Sequence, residues 1–266
     1  MMLTRGRLVS LAAAAVLWLW SVAGVGLSPA SAADDDAGQI LKAMSDYLSS
    51  QKTISATFDS SLEVITTDLE KIQFNSSGTL LLSRPNKVHA TRTGGYSDVE
   101  LTFDGKVVTI CGKHLNQYMQ LDAPGSIDQM IDTLHSRGAA IPAADLLLSD
   151  VYDAVTADVV SAKHIGEGVI GGVECEHLAF RQQDVDWQIW VDKGANPVPC
   201  KLVITSKAVS GSPEYTMVIR DWKTGVPADD AAFTFNAPSG SQRLELQEGL
   251  AKLDELPEAG ATTKGK

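Results

Sequence analysis

Gly171 to Asp192 reads GGVECEHLAFRQQDVDWQIWVD. Cys175, His177, two Trp and five acids lie close together here, which fits either a catalytic or metal site or a pair of β-strands with their polar groups in water. The side-chain period decides between them. At period two, Val173, Cys175, His177 and Ala179 share one face, and Glu174, Glu176, Leu178 and Phe180 share the other. The alternation restarts after Asp184, with Val185, Trp187, Ile189 and Val191 on one face and Asp186, Gln188, Trp190 and Asp192 on the other. This pattern predicts a hairpin wall with acids toward solvent and Trp187 toward the core or a cavity.

The chemical reading lacks partners. Cys175 beside His177 is a spacing that a metal or a thiolate pair uses, but either needs a further ligand or an orienting group. His89, His114, His135 and His164 show no matching spacing, and the chain holds no C-x-x-C, H-E-x-x-H, G-x-S-x-G or phosphate-loop pattern. Gly166, Gly168 and Gly171 formally match G-x-G-x-x-G. A dinucleotide site needs a helix to follow, and here an alternating strand follows, so a hairpin loop is predicted. The expectation is a protein without catalytic residues, metal or cofactor.

Upstream, Ala37 to Ser50 places Ile40, Leu41, Met44, Tyr47 and Leu48 on one helical face. From Thr53 the period becomes two: Ile54, Ala56, Phe58, Leu62 and Val64 alternate with polar residues, and Ile72, Phe74, Leu80 and Leu82 repeat the pattern. Such strands have one dry face and one wet face, as in an antiparallel sheet solvated on one side. Shorter strands are predicted over Lys87–Arg92, Asp98–Phe103, Val107–Ile110 and Asn116–Leu121, with Asp104-Gly105 as a hairpin signal. A two-helix insertion then interrupts the sheet over about 126–155. Its first helix carries Ile127, Met130, Ile131 and Leu134; its second opens at Pro142 and carries Leu146, Leu147, Val151 and Val155. Strands resume over Val159–Ile165, Val173–Arg181, Val185–Asp192, Cys200–Ser206 and Glu214–Trp222, and the residues from 239 to 266 read as a tail.

At the N-terminus, Arg5 and Arg7 precede an apolar run that ends in Ala30-Ser31-Ala32, the pattern of a cleavable secretory signal peptide over residues 1–32. The expected location is therefore an exported compartment. Loss of the two Arg would take the formal charge from −11 to −13, which argues against nucleic acid or an anionic membrane surface as partner. In a regular meander Cys175 and Cys200 lie two strands apart, about 9–10 Å, whereas a disulfide needs Cα atoms within about 7 Å. No bridge is expected unless a bulge or a different strand order brings them together.

Four blocks carry a family resemblance: CEHLAFR from Cys175, DVDWQIWV from Asp184, NPVPCKLVIT from Asn196 and PEYTMVIRDW from Pro213. They resemble the signature blocks of an uncharacterised family of bacterial predicted periplasmic proteins. That family is similar in fold to the lipoprotein-carrier superfamily of LolA, LolB and the mycobacterial lipid-carrier lipoproteins. The resemblance spans Gln39 to Pro238 and carries no catalytic residues. It implies a mainly β fold with some α: an unclosed antiparallel β-barrel of about eleven strands, in a single domain over residues 33–238, with helices plugging the concave face. Such a face suits a hydrophobic ligand such as a lipid or acyl chain, bound by a carrier; the alternative is a sensor or interaction module working through an envelope protein. The candidate ligand-lining residues are Phe58, Leu62, Phe74, Leu80, Leu101, Phe103, Trp187, Ile189, Leu202, Ile204, Met217 and Ile219 from the strands, with Met130, Ile131, Leu134 and Leu147 from the insertion. Dry strand faces look the same in a filled core, so the residues alone leave an open cleft and a closed core both standing.

Overall fold

The computed structural model describes residues 31–139, 141–246 and 249, with side chains from Asp36 onward. Helix α1, Ser31–Ser50, presents Ala37, Leu41, Met44 and Leu48 as a fully buried stripe at the i, i+4, i+7, i+11 spacing of one helical face. Strands β1 (Thr53–Ile65) and β2 (Lys71–Ser83) follow as a long hairpin, then β3 (Lys87–Gly94), β4 (Asp98–Phe103), β5 (Val107–Gly112) and β6 (Gln117–Asp122) as a meander. After the helical insertion come β7 (Ser161–Ile170), β8 (Val173–Arg181), β9 (Val185–Asp192), β10 (Pro199–Ser206) and β11 (Glu214–Thr224). Residues 242–243 form β12.

All twelve strands make one sheet in the order β12-β6-β5-β4-β3-β2-β1-β11-β10-β9-β8-β7. The β1–β11 pairing joins the two meanders, and the edges β12 and β7 do not pair with each other, so the barrel is unclosed. The inner face follows from register. Ile54, Ala56, Phe58 and Leu62 stand opposite Leu82, Leu80, Gly78 and Phe74, while Phe58 and Leu62 face Ile219 and Tyr215 on the other side. Among the described residues no helix is long and apolar enough to cross a membrane.

The hairpin wall of the opening stretch is β8–β9, with Phe180 opposite Trp187 and their rings stacked 4.0 Å apart. Gly171 and Gly172 make the two-residue turn from β7 into β8, both with positive φ (59° and 89°), the backbone such a tight turn requires. Gly166 and Gly168, predicted in the loop, instead pair within β7 with His177 and Cys175, so only the Gly171 end of the glycine pattern is the hairpin turn. At Asp104-Gly105 the Asp104 carboxylate accepts from the backbone N–H of Lys106 and Val107, each at 2.8 Å, closing the β4–β5 loop.

Two predicted features are corrected, and an exception the sequence left open is met. The second helix of the insertion is not continuous from Pro142: a 3-10 turn, Ala144–Leu147, is separated from α3, Val151–Thr156, by extended Leu148. Asp150 accepts from the Asp153 backbone N–H at 3.0 Å, so its capping preference starts a new helix there. The chain beyond Pro238 is not merely a tail, because Gln242 and Arg243 pair in parallel with β6 and Leu244 is buried. Finally, a bulge between Pro199 and Lys201 shifts the β9–β10 register, at a place where Pro199 has no N–H to give the ladder. The buried Cys200 and Cys175 thiols are neighbours there, closer than the spacing of a regular meander; both are free thiols, donating to the carbonyls of Val198 and Val173.

Candidate functional site

The insertion lies on the inner face. Helix α2 (Ile127–Ser136) is started by a capping box in which the Ser126 hydroxyl accepts from the Gln129 N–H and the Gln129 side chain accepts from the Ser126 N–H. Its Ile127, Met130, Ile131 and Leu134 pack into the main core. The segment behind it is tied down at three points: Arg84 donates to the carbonyls of Leu147 and Leu148 (3.0 and 3.1 Å), Ser149 donates to the Asp128 carboxylate, and the Tyr152 N–H donates to the Ser45 hydroxyl (3.0 Å). Between the well-packed α2 and these ties runs the stretch from Gly138 to Pro142.

Gly138, Ala139, Ile141 and Pro142 roof a cavity of about 210 Å³. Its floor is Phe58, Ala90, Leu101, Ile110, Met119 and Met217 from strands of both meanders, and its roof is Gly138, Ala139, Ile141 and Pro142. A second cavity, about 270 Å³, lies toward α1 and α3, walled by Trp187, Ile189, Leu202 and Ile204 beneath Leu41, Met44, Leu146 and Val151. Ala143 and Leu146 pack against the Tyr215, Met217 and Ile219 cluster at the join between them. A third, polar cavity of about 350 Å³ adjoins the first and shares Arg92 and Tyr215 with it; Ser60, Gln73, Phe74, Ser76, Tyr96 and Ser97 line its far side.

The candidate residues distribute unevenly. Phe58, Leu101 and Met217 face the first cavity; Trp187, Ile189, Leu202 and Ile204 the second; Leu62 and Phe74 the polar one. Phe103, Met130, Ile131 and Leu134 are core residues, each 2% exposed or less, so α2 is a plug whose apolar face is wholly packed. Leu80 and Leu147 are half-buried against that core, and Ile219 packs with Ala56 and Tyr215.

Sequence reasoning missed the polar members. On β3 the inward positions are Val88, Ala90 and Arg92, so a charge occupies a position where alternation demands an apolar side chain; that violation was the available signal. The Ser60 and Ser76 hydroxyls bond each other at 2.9 Å. Burial pushes the Tyr215 phenol above its ordinary pKa, while the Ser60 hydrogen bond and the Arg92 charge pull it back.

Cys175 and His177 have separate partners. Burial raises the Cys175 thiol pKa, and its neighbours are the Cys200 thiol and the Val173 carbonyl. The His177 ring pairs with the Gln188 amide at 2.9 Å and stacks on Trp190 at 4.1 Å; the Lys201 ammonium lies 4.8 Å from the centre of the Trp190 ring. Among the described residues no three His, Cys, Asp or Glu side chains group as a metal site.

The family model of predicted periplasmic proteins DUF2092 matches residues 37–247. The chain belongs to this family. The match runs from α1 through β12 and so takes in the whole sheet and insertion. No curated protein matches the chain. Among solved structures it is similar to an uncharacterised conserved protein of Thermus thermophilus (12% identity, TM-score 0.47), covering 79% of this chain and 98% of that one. It is similar to LprF of Mycobacterium bovis (12%, TM-score 0.44), covering 78% and 98%, and to a putative outer membrane lipoprotein-sorting protein domain of Vibrio parahaemolyticus (9%, TM-score 0.37), covering 75% and 97%.

Proposed function

We propose that this DUF2092 protein is a non-enzymatic periplasmic binding protein or carrier for a hydrophobic ligand, a lipid or an acyl chain, exported by a cleavable leader. The observation that carries the reading is the apolar cavity between the inner face of the sheet and Gly138–Pro142. At about 210 Å³ it lies below the ~300–1,000 Å³ usual for small-molecule sites, so as it stands it suits one short chain. A longer chain needs the second cavity as well. Ala143 and Leu146 pack at the join, and their outward movement would merge the two into one groove along the inner face. Gly138, with a positive φ of 82° and open space around it, is the natural hinge.

The test is native mass spectrometry of protein recovered from its exported compartment, followed by titration of the delipidated chain with a fluorescent fatty acid. Co-purifying lipid and saturable one-to-one binding are expected. Protein that is repeatedly ligand-free and does not take up the probe would overturn the reading.

A further inference from the structure

Arg92 is the one charged side chain common to the apolar cavity and the polar cavity beside it. Its cross-strand neighbours are Gly78 on β2 and Val99 on β4, neither of which can accept a side-chain hydrogen bond. The other half-buried or paired arginines are accounted for: Arg84 by the carbonyls of Leu147 and Leu148, Arg181 by Asp186, Arg220 by Asp59. Half-buried Arg92 has neither an ion pair nor a hydrogen bond among the described residues, in a chain with 33 acids against 22 bases. A guanidinium carries five donors and cannot shed its charge, so beside an apolar wall it needs water or an anion as partner, and an anion matches its charge.

A second observation points the same way. Ser97, 9% exposed, lines the polar cavity and its buried hydroxyl has no hydrogen-bond partner. The Ser60–Ser76 hydroxyl pair and Tyr215 border the same space. Polar groups, of which Arg92 and Ser97 lack a partner among the described residues, therefore gather beside the apolar chamber.

We infer that Arg92 anchors the anionic head of a single-chain amphiphile, a carboxylate or phosphate oxygen acceptor, whose chain lies over Phe58, Leu101 and Met217. This rests on the hydrophobic-ligand reading above and adds the ligand's charge and its orientation: head toward Ser97 and Tyr96, tail under Ile141. A planar guanidinium favours a two-oxygen head, which carboxylate and phosphate share. An alcohol or an ammonium of equal chain length lacks it.

The experiment titrates the full chain at low salt with dodecanoate, dodecyl phosphate, dodecanol and dodecyltrimethylammonium, for the parent and for Arg92→Gln and Arg92→Lys. The parent should bind the two anions about tenfold or more tighter than dodecanol. Arg92→Gln should erase that preference with dodecanol binding unchanged, and Arg92→Lys should keep part of it. Whether dodecanoate or dodecyl phosphate binds more tightly tells a fatty acid from a phospholipid-derived head. Equal binding of dodecanol and the anions by the parent overturns the Arg92 anchor while the hydrophobic-ligand reading stands. Failure of all four to bind overturns both. Should Arg92→Gln not fold, by its melting curve, an Arg92→Lys variant with unaltered anion preference at high and low salt overturns the anchor.

Discussion

The ring of Phe58 lies against Gly78, its cross-strand partner: a β-carbon placed on Gly78 would stand 2.3 Å from Phe58 Cζ and 2.1 Å from the Thr91 carbonyl oxygen. The missing side chain thus makes room for an aromatic floor under the first cavity and for close approach of β3. Ala normally outperforms Gly inside a strand by about 0.5–1 kcal/mol. Here the clash involves backbone as well as a ring, so overpacking should win. Gly78→Ala is expected to destabilise by about 1–3 kcal/mol, read as a lower urea midpoint. A midpoint that holds or rises would mean that Phe58 is not packed as described.

The acid limb of stability should depend on Glu100. This β4 carboxylate accepts from His89 and from Lys113, each at 2.9 Å. Burial works to raise its pKa, but the Lys113 hydrogen bond and charge, and then those of His89, outweigh it and hold the pKa below the ordinary 4.5. A depressed carboxylate contributes stability that is fully present above its unfolded pKa and is lost as pH falls through its folded pKa. The window is therefore below pH 4.5. Urea midpoints measured from neutral pH downward should fall less steeply there for Glu100→Gln than for the parent, and parallel curves would remove Glu100 from the account.

The strands from β1 to β11 were legible because most have one face against the core, so apolar residues recur at period two, as at Ile54, Ala56, Phe58 and Leu62 with Ser60 interposed; β7, whose Ile165 and Val169 are exposed, follows the rule least. Strand β12 was not, because two polar residues, Gln242 and Arg243, carry no period and pair only through their backbone. Dry faces also cannot tell a lining residue from a core residue: Phe103 and Leu101 read alike on β4, yet Phe103 is fully buried and Leu101 faces the cavity. What separates them is where the insertion leaves a gap, a tertiary property. Arg92 left a trace in the sequence only as a broken alternation on β3, which an edge or a solvated strand end produces as well. The Cys175–Cys200 contact was hidden by the Pro199 bulge, since alternation arguments assume an unbroken register.

That contact gives a chemical prediction. Burial raises the pKa of both thiols, so at neutral pH each is protonated and a poor nucleophile. In the native reduced chain, alkylation of Cys175 should be at least about tenfold slower than for free cysteine and should reach the free rate only in denaturant. Refolding in a glutathione redox pair, where thiolate exchange precedes burial, should instead link Cys175 to Cys200, seen as a joined peptide on non-reducing mapping. Native Cys175 alkylating faster than free cysteine would reopen a nucleophilic role, and linkage of either residue to Cys111 instead would contradict the placement of the bulge.

Leu146 offers the sharpest test of whether the insertion is a movable cover or ordinary core. It walls the second cavity and packs, with Ala143, against the cluster that divides the two chambers. Truncation to Ala removes part of the divider while leaving α2 and the Arg84, Asp128 and Ser45 ties in place. The stability loss should fall at or below the lower end of the ~2–5 kcal/mol range for buried leucines, because Leu146 is only half-buried and borders a void already. If the chambers together hold an acyl chain, Leu146→Ala should shift preference from octanoate toward palmitate, measured as the ratio of their dissociation constants, with octanoate affinity little changed. An unaltered ratio, with only the stability loss, would mean that the divider never opens to ligand and that long-chain carriage needs another route.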